Sequence, residues 1–115
     1  MFGHEKFRAY KYSIEFAALA TQIIEKLPPG YGKLIDQFRR ATISVSLNIA
    51  EGSGKATEIQ KRHCYAIARG EAMECAAIMD ILECMRIVDS NTATQAKELL
   101  ENVVAILTSV CKKGN

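Results

Sequence analysis

Apolar residues recur every three or four positions along most of this chain, which is the spacing of helices that bury one face. The first such segment has them at Tyr10, Ile14, Ala17, Ile24 and Leu27. A later segment steps by four and three, the heptad-like seam of helices that cross at a shallow angle. That seam consists of Tyr65, Ala68, Ala72, Cys75, Met79 and Leu82. The pattern predicts four helices, at about 7–27, 31–51, 57–88 and 92–112.

Helix breakers and capping residues separate these segments. The prolines and glycine of Pro28–Gly30 end the first, because neither proline can continue a helix. Gly52 and Gly54 close the second. Two capping-box pairs mark the later helix starts: Thr57 with Gln60 and Thr92 with Gln95. Short connections between four helices predict an all-α fold, an antiparallel up-down-up-down four-helix bundle that forms a single domain over residues 1–115.

The second predicted helix has apolar residues on two opposite sides. Residues 42–49 alternate as a strand would, but no other segment offers a partner strand. On a helix, Val45 and Ile49 share one stripe, and Ile43 and Leu47 form a second stripe about 200° from Val45. We expect Ile43 and Leu47 to form a subunit interface with another copy of the chain. The alternative is that the first and third helices cover them. A strictly monomeric protein in analytical ultracentrifugation at micromolar concentration would refute the subunit contact.

Composition limits both location and chemistry. No run approaches the roughly 20 apolar residues of a membrane span, which predicts a cytoplasmic protein that does not enter membranes. The four cysteines lack the close spacing of zinc or redox motifs. The two histidines, His4 and His63, lack the Glu-x-x-His pattern of di-iron bundles. We therefore expect no catalytic residues, no bound metal and no cofactor.

Basic residues are concentrated in one part of the chain. Residues 33–69 contain seven Lys or Arg against three acids, whereas residues 70–101 contain two bases against seven acids. This asymmetry predicts a basic and an acidic surface, and a helix start beside basic side chains suits phosphate. The candidate nucleic-acid-binding residues are Arg39, Arg40, Lys55, Lys61, Arg62 and Arg69. The alternative is an ordinary solvated face, because no row of aromatic residues accompanies the bases.

Glu51 is unusual because it lies in the last turn of its predicted helix, where the helix dipole disfavours a carboxylate. We expect Lys61 or Arg62 to compensate its charge. Asn48, one turn earlier, and Glu74, beside the third helix's seam, are the other candidates for a buried polar network with Glu51. Such a network more often fixes helix register than performs a reaction.

Two sequence motifs are distinctive. The first comprises Phe38–Ser44 and Asn48–Lys55, and the second comprises Ala68–Gly70 followed by Glu74. Both resemble the signatures of a known family, the bacterial four-helix-bundle proteins encoded in intervening sequences of 23S ribosomal RNA genes. The chain departs from the family at two neighbouring positions. Members often have Pro where Ser46 stands and Ser where Leu47 stands, and without the proline the helix should be straighter.

The resemblance implies a small cytoplasmic bundle that assembles into a ring, typically a homopentamer, with no known catalytic activity. A related branch serves as the accessory protein of diversity-generating retroelements, in which a similar ring with a basic surface binds RNA and a reverse transcriptase. Structured RNA is therefore the favoured partner, and a reverse transcriptase or another protein is a further candidate. The competing hypothesis is a protein-interaction scaffold that binds no nucleic acid.

Overall fold

Five α-helices are present in the computed structural model, which describes residues 2–112. They are α1 (Gly3–Lys6), α2 (Arg8–Glu25), α3 (Gly32–Ser53), α4 (Glu58–Cys84) and α5 (Ser90–Lys112). No strand occurs in that part of the chain, and the alternating residues 42–49 lie in the middle of α3. The predicted all-α fold is confirmed. The short helix α1 has no counterpart among the predicted elements.

The four long helices pack in a closed order, α2 against α3, α3 against α4, α4 against α5, and α5 against α2. Cross-helix hydrogen bonds give their directions. Arg40 on α3 meets Glu74 on α4, while Ser53, later on α3, meets Tyr65, earlier on α4. Side-chain contacts of α2 with α3 and of α4 with α5 follow the same reversed order. Consecutive long helices therefore run antiparallel, and the predicted up-down-up-down bundle is confirmed. The bundle measures 44 × 23 × 20 Å.

The core is the seam where the inner faces of the four helices meet. Phe16 of α2 and Phe38 of α3 are almost fully buried, with ring centroids 6.1 Å apart. Val45 and Ile49 are at most 1% exposed, so the first stripe of α3 faces the core as predicted. Every member of the predicted α4 seam is also buried. Burial of a large apolar side chain contributes about 1.5–3 kcal/mol, which makes this seam the main source of stability.

A close approach joins the end of α3 to the start of α4. Gly52 is buried against the ring of Tyr65, and a Cβ at position 52 would lie 2.7 Å from Tyr65 Cε1. The hydroxyl oxygens of Tyr65 and Ser53 are 3.4 Å apart. Thr57 and Gln60 form the predicted capping box at the start of α4. The connection is therefore tightly packed on both sides.

The end of α4 differs from the predicted end. The helix stops at Cys84 rather than near position 88, because Arg86 adopts a left-handed conformation with φ 60°. The Ile87 N–H donates to the Leu82 carbonyl at 3.0 Å, and the Arg86 N–H donates to the Glu83 carbonyl at 2.9 Å. This pair of bonds is a Schellman motif, which usually has glycine at the left-handed position. Because Arg86 is not glycine, the sequence carried no stop signal there.

The start of α5 also differs, because Thr92 and Gln95 do not begin the helix. Helix α5 starts at Ser90, and the Thr92 backbone N–H donates to Asp89 Oδ1 at 2.7 Å. The carboxylate of Asp89 therefore satisfies one of the free amides at the helix start. This hydrogen bond holds the pKa of Asp89 below its usual range.

Substitution of Asp89 by alanine is expected to destabilise the protein at neutral pH and to have little effect in strong acid. A carboxylate with a lowered folded-state pKa stabilises the fold above its unfolded pKa of about 3.9 and loses that effect as the pH falls through the folded pKa. Thermal unfolding of wild type and Asp89→Ala between pH 7 and pH 2 measures this. Asp89→Asn is the control, because asparagine caps a helix without titrating. A pH-independent difference between wild type and Asp89→Ala would contradict the capping role.

In residues 2–112, no helix combines the length and the hydropathy that a bilayer crossing requires.

Candidate nucleic-acid interface

The six basic residues predicted to bind nucleic acid do not form one patch. Arg40 stands 13 residues before Ser53, the last residue of α3, which is about 20 Å along the helix axis. Arg39 is its neighbour and is exposed to solvent near the middle of the bundle. Lys55, Lys61 and Arg62 lie instead around the α3–α4 connection at one end. The two groups therefore occupy separate parts of the surface.

Arg40 joins α3 to α4. Its Nη1 donates to Glu71 Oε2 and its Nη2 donates to Glu74 Oε2, both at 2.6 Å. Hydrogen bonds to Glu71 and then to Glu74 raise the pKa of Arg40. Two carboxylates thus already occupy the guanidinium. This arrangement gives Arg40 a structural role, and a contact of Arg40 with nucleic acid stays a prediction.

Arg69 is also engaged within the bundle. Its Nε donates to Thr108 Oγ1 at 2.7 Å, which connects α4 to α5. Arg69 is half-buried and lies two turns beyond Arg62 on α4. It is therefore better placed to hold two helices together than to contact a ligand.

Basic residues from four helix termini lie together at one end of the bundle. Because neighbouring helices are antiparallel, the starts of α2 and α4 meet the ends of α3 and α5 there. A cavity of about 440 Å³ at this end is lined by residues from all of these segments, among them Phe7, Ser53, Lys61, Arg62 and Val110. We call this region the basic end. Its described bases are Arg8, Lys11, Lys55, Lys61, Arg62 and Lys112.

Charge is separated along the long axis of the bundle. Against its six bases, the basic end has three described carboxylates, Glu5, Glu51 and Glu58. At the opposite end, acids outnumber bases. The acids there are Glu25, Asp36, Asp80, Glu83, Asp89 and Glu98, and the bases are Lys26, Lys33, Arg86 and Lys97. The asymmetry predicted along the sequence therefore becomes a difference between the two ends.

Two lysines of the basic end also stabilise the last turn of α3. Lys61 Nζ donates to the Ser53 carbonyl at 3.1 Å, so a cation meets the negative end of the helix dipole. Lys55 Nζ lies 3.3 Å from Glu51 Oε1. The cation beside Glu51 is therefore Lys55, not Lys61 or Arg62 as expected. The reason is that the Glu51 side chain, 58% exposed, extends along its own helix toward solvent.

The expected buried polar network is not formed in the described structure. Asn48 Nδ2 donates to the Ser44 carbonyl and hydroxyl, one turn back on its own helix. Glu51 pairs with Lys55, and Glu74 accepts from Arg40 and Gln37. Because Arg40 and Asn48 are eight residues apart, Glu74 binds α3 about 12 Å from Asn48. Each of the three polar residues thus has its own partners, and none of them contacts another member of the expected network.

Ile43 and Leu47 lie on the outer face of α3. They are 56% and 62% exposed, so the neighbouring helices do not cover them and the alternative explanation is wrong. Contact with another copy stays a prediction. Helix α3 is continuous through Ser46, whose hydroxyl donates to Ser13 Oγ on α2 at 2.9 Å. Ser46, which makes this contact, occupies the position at which family members often have proline.

The described residues offer little for catalysis. No three His, Cys, Asp or Glu side chains among them lie close enough to hold a metal ion. All four cysteines are free: Cys64 and Cys75 are buried, Cys111 is half-buried and Cys84 is exposed. Burial raises the pKa of Cys75 to about 12, so this thiol is protonated and is not a nucleophile at neutral pH.

Comparisons with known proteins agree with the resemblance seen in the two motifs. Residues 5–109 match the model of the 23S rRNA-intervening sequence protein family. A solved structure with a TM-score of 0.83 and 19% identity comes from Bacteroides thetaiotaomicron, covers 91% of this chain and 99% of its own, and is described as a protein of unknown function from the S23 ribosomal protein family. That similarity shows the shared fold. No curated protein matches the chain. Because the family model matches residues 5–109, the chain belongs to the 23S rRNA-intervening sequence protein family.

Proposed function

We propose that this protein is a non-catalytic, self-associating helical bundle that binds structured RNA through its basic end. The observation that supports this most is the convergence of six bases against three carboxylates at one end of the bundle. Phosphate groups dominate the affinity of proteins for nucleic acids, and an excess of Lys and Arg on one face is the usual means of binding them. Membership of a 23S rRNA-intervening sequence family fits an RNA-related role.

The basic end is better suited to contact the phosphates of an RNA than its nucleobases. The nearby aromatic rings of Phe7 and Tyr65 pack against each other, with centroids 5.6 Å apart. These two rings are therefore occupied, and the exposed ring of Phe2 is stacked on His4 with centroids 5.8 Å apart. The described rings thus form no open row on which successive nucleobases of a single strand could stack. Double-stranded RNA is recognised chiefly through its phosphates, its 2′-hydroxyls and its shape. A structured RNA is thus the better ligand for this surface.

Self-association is the second part of the proposal. Ile43 and Leu47 are large apolar side chains that are more than half exposed on a single copy, and their burial between copies would be favourable. The family resemblance implies five copies in a ring, and we adopt that number. A cyclic ring repeats the basic end once per copy, so one RNA could contact several basic ends, which raises its overall affinity.

A protein-interaction scaffold is the competing function. The observation in its favour is that further apolar side chains are exposed on α4, such as Ile59 at 74% and Met73 at 50%. Exposed apolar patches on monomers mark binding sites for other proteins. In this case the partner would be a reverse transcriptase or another protein. The Lys and Arg side chains of the basic end would then be solvated and would bind no RNA.

A filter-binding titration of a structured RNA against salt concentration is expected to separate the two functions. Each neutralised phosphate contributes roughly −0.7 to −0.9 to the slope of log affinity against log salt. Three to six contacts from the basic end therefore predict a slope of about −2 to −5. An unstructured RNA of equal length is the control and should bind more weakly. A flat salt dependence, or no binding, would favour the scaffold.

A further inference from the structure

An apolar groove runs between α4 and α5 on the outside of the bundle. It has a volume of about 300 Å³, and its apolar lining comes from Met73 and Ala76 of α4 and from Leu100, Val104 and Ala105 of α5. Two charged residues, Lys97 and Glu101, lie at its edge. We call this feature the α4–α5 groove. It is on different helices from the exposed pair Ile43 and Leu47.

The exposed pair on α3 is small and well defined. Ile43 and Leu47 are four residues apart, so their side chains project from the same side of α3 on successive turns. Arg39 lies one turn before Ile43 and is exposed. We call Ile43 and Leu47 the α3 ridge. It is an apolar projection with a cation at one end.

We propose that the α3 ridge of one copy inserts into the α4–α5 groove of the next copy. The sizes agree, because an apolar cavity of about 150 Å³ holds one benzene-sized group, and the groove has about twice that volume. Two branched aliphatic side chains therefore fit. This inference rests on the self-association proposed above and specifies which two surfaces meet.

The charges beside the two surfaces are complementary. Lys97 is already paired with Asp80, since its Nζ lies 2.6 Å from Asp80 Oδ1. Glu101 makes no ion pair among residues 2–112, and the same is true of Arg39. An acid without an ion pair thus lies beside the groove, and a base without one lies beside the ridge. Insertion of the ridge would bring opposite charges together.

The contact is heterologous, which means that it uses two different surfaces. When one ridge fills one groove, each copy in the pair still has one unused surface, so further copies add until the assembly closes as a ring or grows as a filament. A standard interface buries about 800 Å² on each partner. Two such interfaces would cover about a quarter of the 6922 Å² surface of the chain. A small bundle can therefore supply both and still expose its basic end.

Sedimentation velocity of two single variants and their mixture tests the pairing. Leu47→Asp damages only the ridge, and Ala105→Glu, at an exposed position, damages only the groove. We expect wild type to assemble and each variant alone to sediment as a monomer. An equimolar mixture should form one-to-one dimers, because the intact ridge of the Ala105→Glu copy can fill the intact groove of the Leu47→Asp copy. The other ridge and groove of that pair are both damaged, so no further copy adds. Circular dichroism of each variant verifies folding.

The contrary outcomes are distinct. If Ala105→Glu assembles as wild type does while Leu47→Asp is monomeric, the ridge binds a surface other than the groove, which overturns the inference but keeps self-association. If wild type is monomeric, the self-association part of the proposed function fails too.

Exchange of charges provides a second test with variants at exposed positions. Arg39→Glu and Glu101→Arg should each weaken assembly by roughly 2- to 5-fold, the usual range for an exposed ion pair. Both changes in one chain should restore it, because the opposite charges are exchanged between the two surfaces. Failure of the double variant to recover, or assembly that is unaffected by either single change, would overturn the pairing of ridge and groove.

Discussion

Gly52→Ala is expected to lower the free energy of unfolding by about 1–3 kcal/mol, the usual range for an overpacked site. The added Cβ would lie 2.7 and 2.9 Å from two ring carbons of Tyr65 and 3.0 Å from the Cβ of Cys64. The Tyr65 ring cannot easily move aside, because it also packs against Phe7 and its hydroxyl lies beside Ser53. Gly52 is in the last turn of α3, so the gain in helix propensity is too small to offset the clash.

Denaturant unfolding, followed by circular dichroism, measures this change. One protein concentration is used throughout, because the proposed assembly would also contribute to stability. Gly70→Ala is the matched control. Gly70 lies inside α4, is exposed, and has no atom within 4 Å of the position of an added Cβ. Alanine there should raise stability by about 0.5–1 kcal/mol. Equal effects at the two positions would contradict the close approach at Gly52.

The residues that carry the family resemblance therefore join α3 to α4. Gly52 in the first motif contacts Tyr65 of α4, and Arg40 in the same motif binds Glu74, which belongs to the second. Both contacts connect the same pair of helices. Packing thus explains Gly52, Arg40 and Glu74, and these three residues need no ligand. Lys55, which ends the first motif, instead belongs to the basic end, where we place the functional surface.

Much of the fold could be predicted because its signals are local. The apolar spacing of α2 to α5 and the capping box at Thr57 depend on neighbours within a turn or two. The errors have a physical origin too. The end of α4 depends on a left-handed Arg86, for which a non-glycine residue gives no sequence signal. At α5 the Thr92–Gln95 pattern predicts a start that is too late, because Asp89, three residues earlier, accepts the Thr92 N–H and caps the helix.

The candidate site was only partly predictable. Lys55, Lys61 and Arg62 were found because they are close in sequence. Arg8 and Lys112 were missed, although the predicted topology already placed the start of α2 and the end of α5 beside the α3–α4 connection. Arg40 was assigned to the interface because its carboxylate partners are 31 and 34 residues away in the sequence. Side-chain pairing over such a separation leaves no local pattern.

Reversal of three charges at the basic end is expected to weaken binding of structured RNA roughly 100-fold at a salt concentration of about 0.1–0.15 M. Arg8, Lys11 and Lys112 are suitable positions, because all three are exposed and none of them lies at the α3–α4 connection. Each change to glutamate replaces an attraction of about 0.5 kcal/mol with a similar repulsion, so three changes cost about 3 kcal/mol in total. The salt slope should also become shallower by about 2 to 3.

A triple variant at the opposite end provides the control, and it determines whether the location of charge matters. Lys26, Lys33 and Arg86 are exposed there, and their replacement by glutamate changes the net charge by the same amount. If RNA is held at the basic end, this variant should lose little affinity, because charges separated by more than about 8–10 Å of salt solution are largely screened and the bundle is 44 Å long. Equal losses in both variants would mean that net charge alone attracts the RNA, and the basic end would then have no special role.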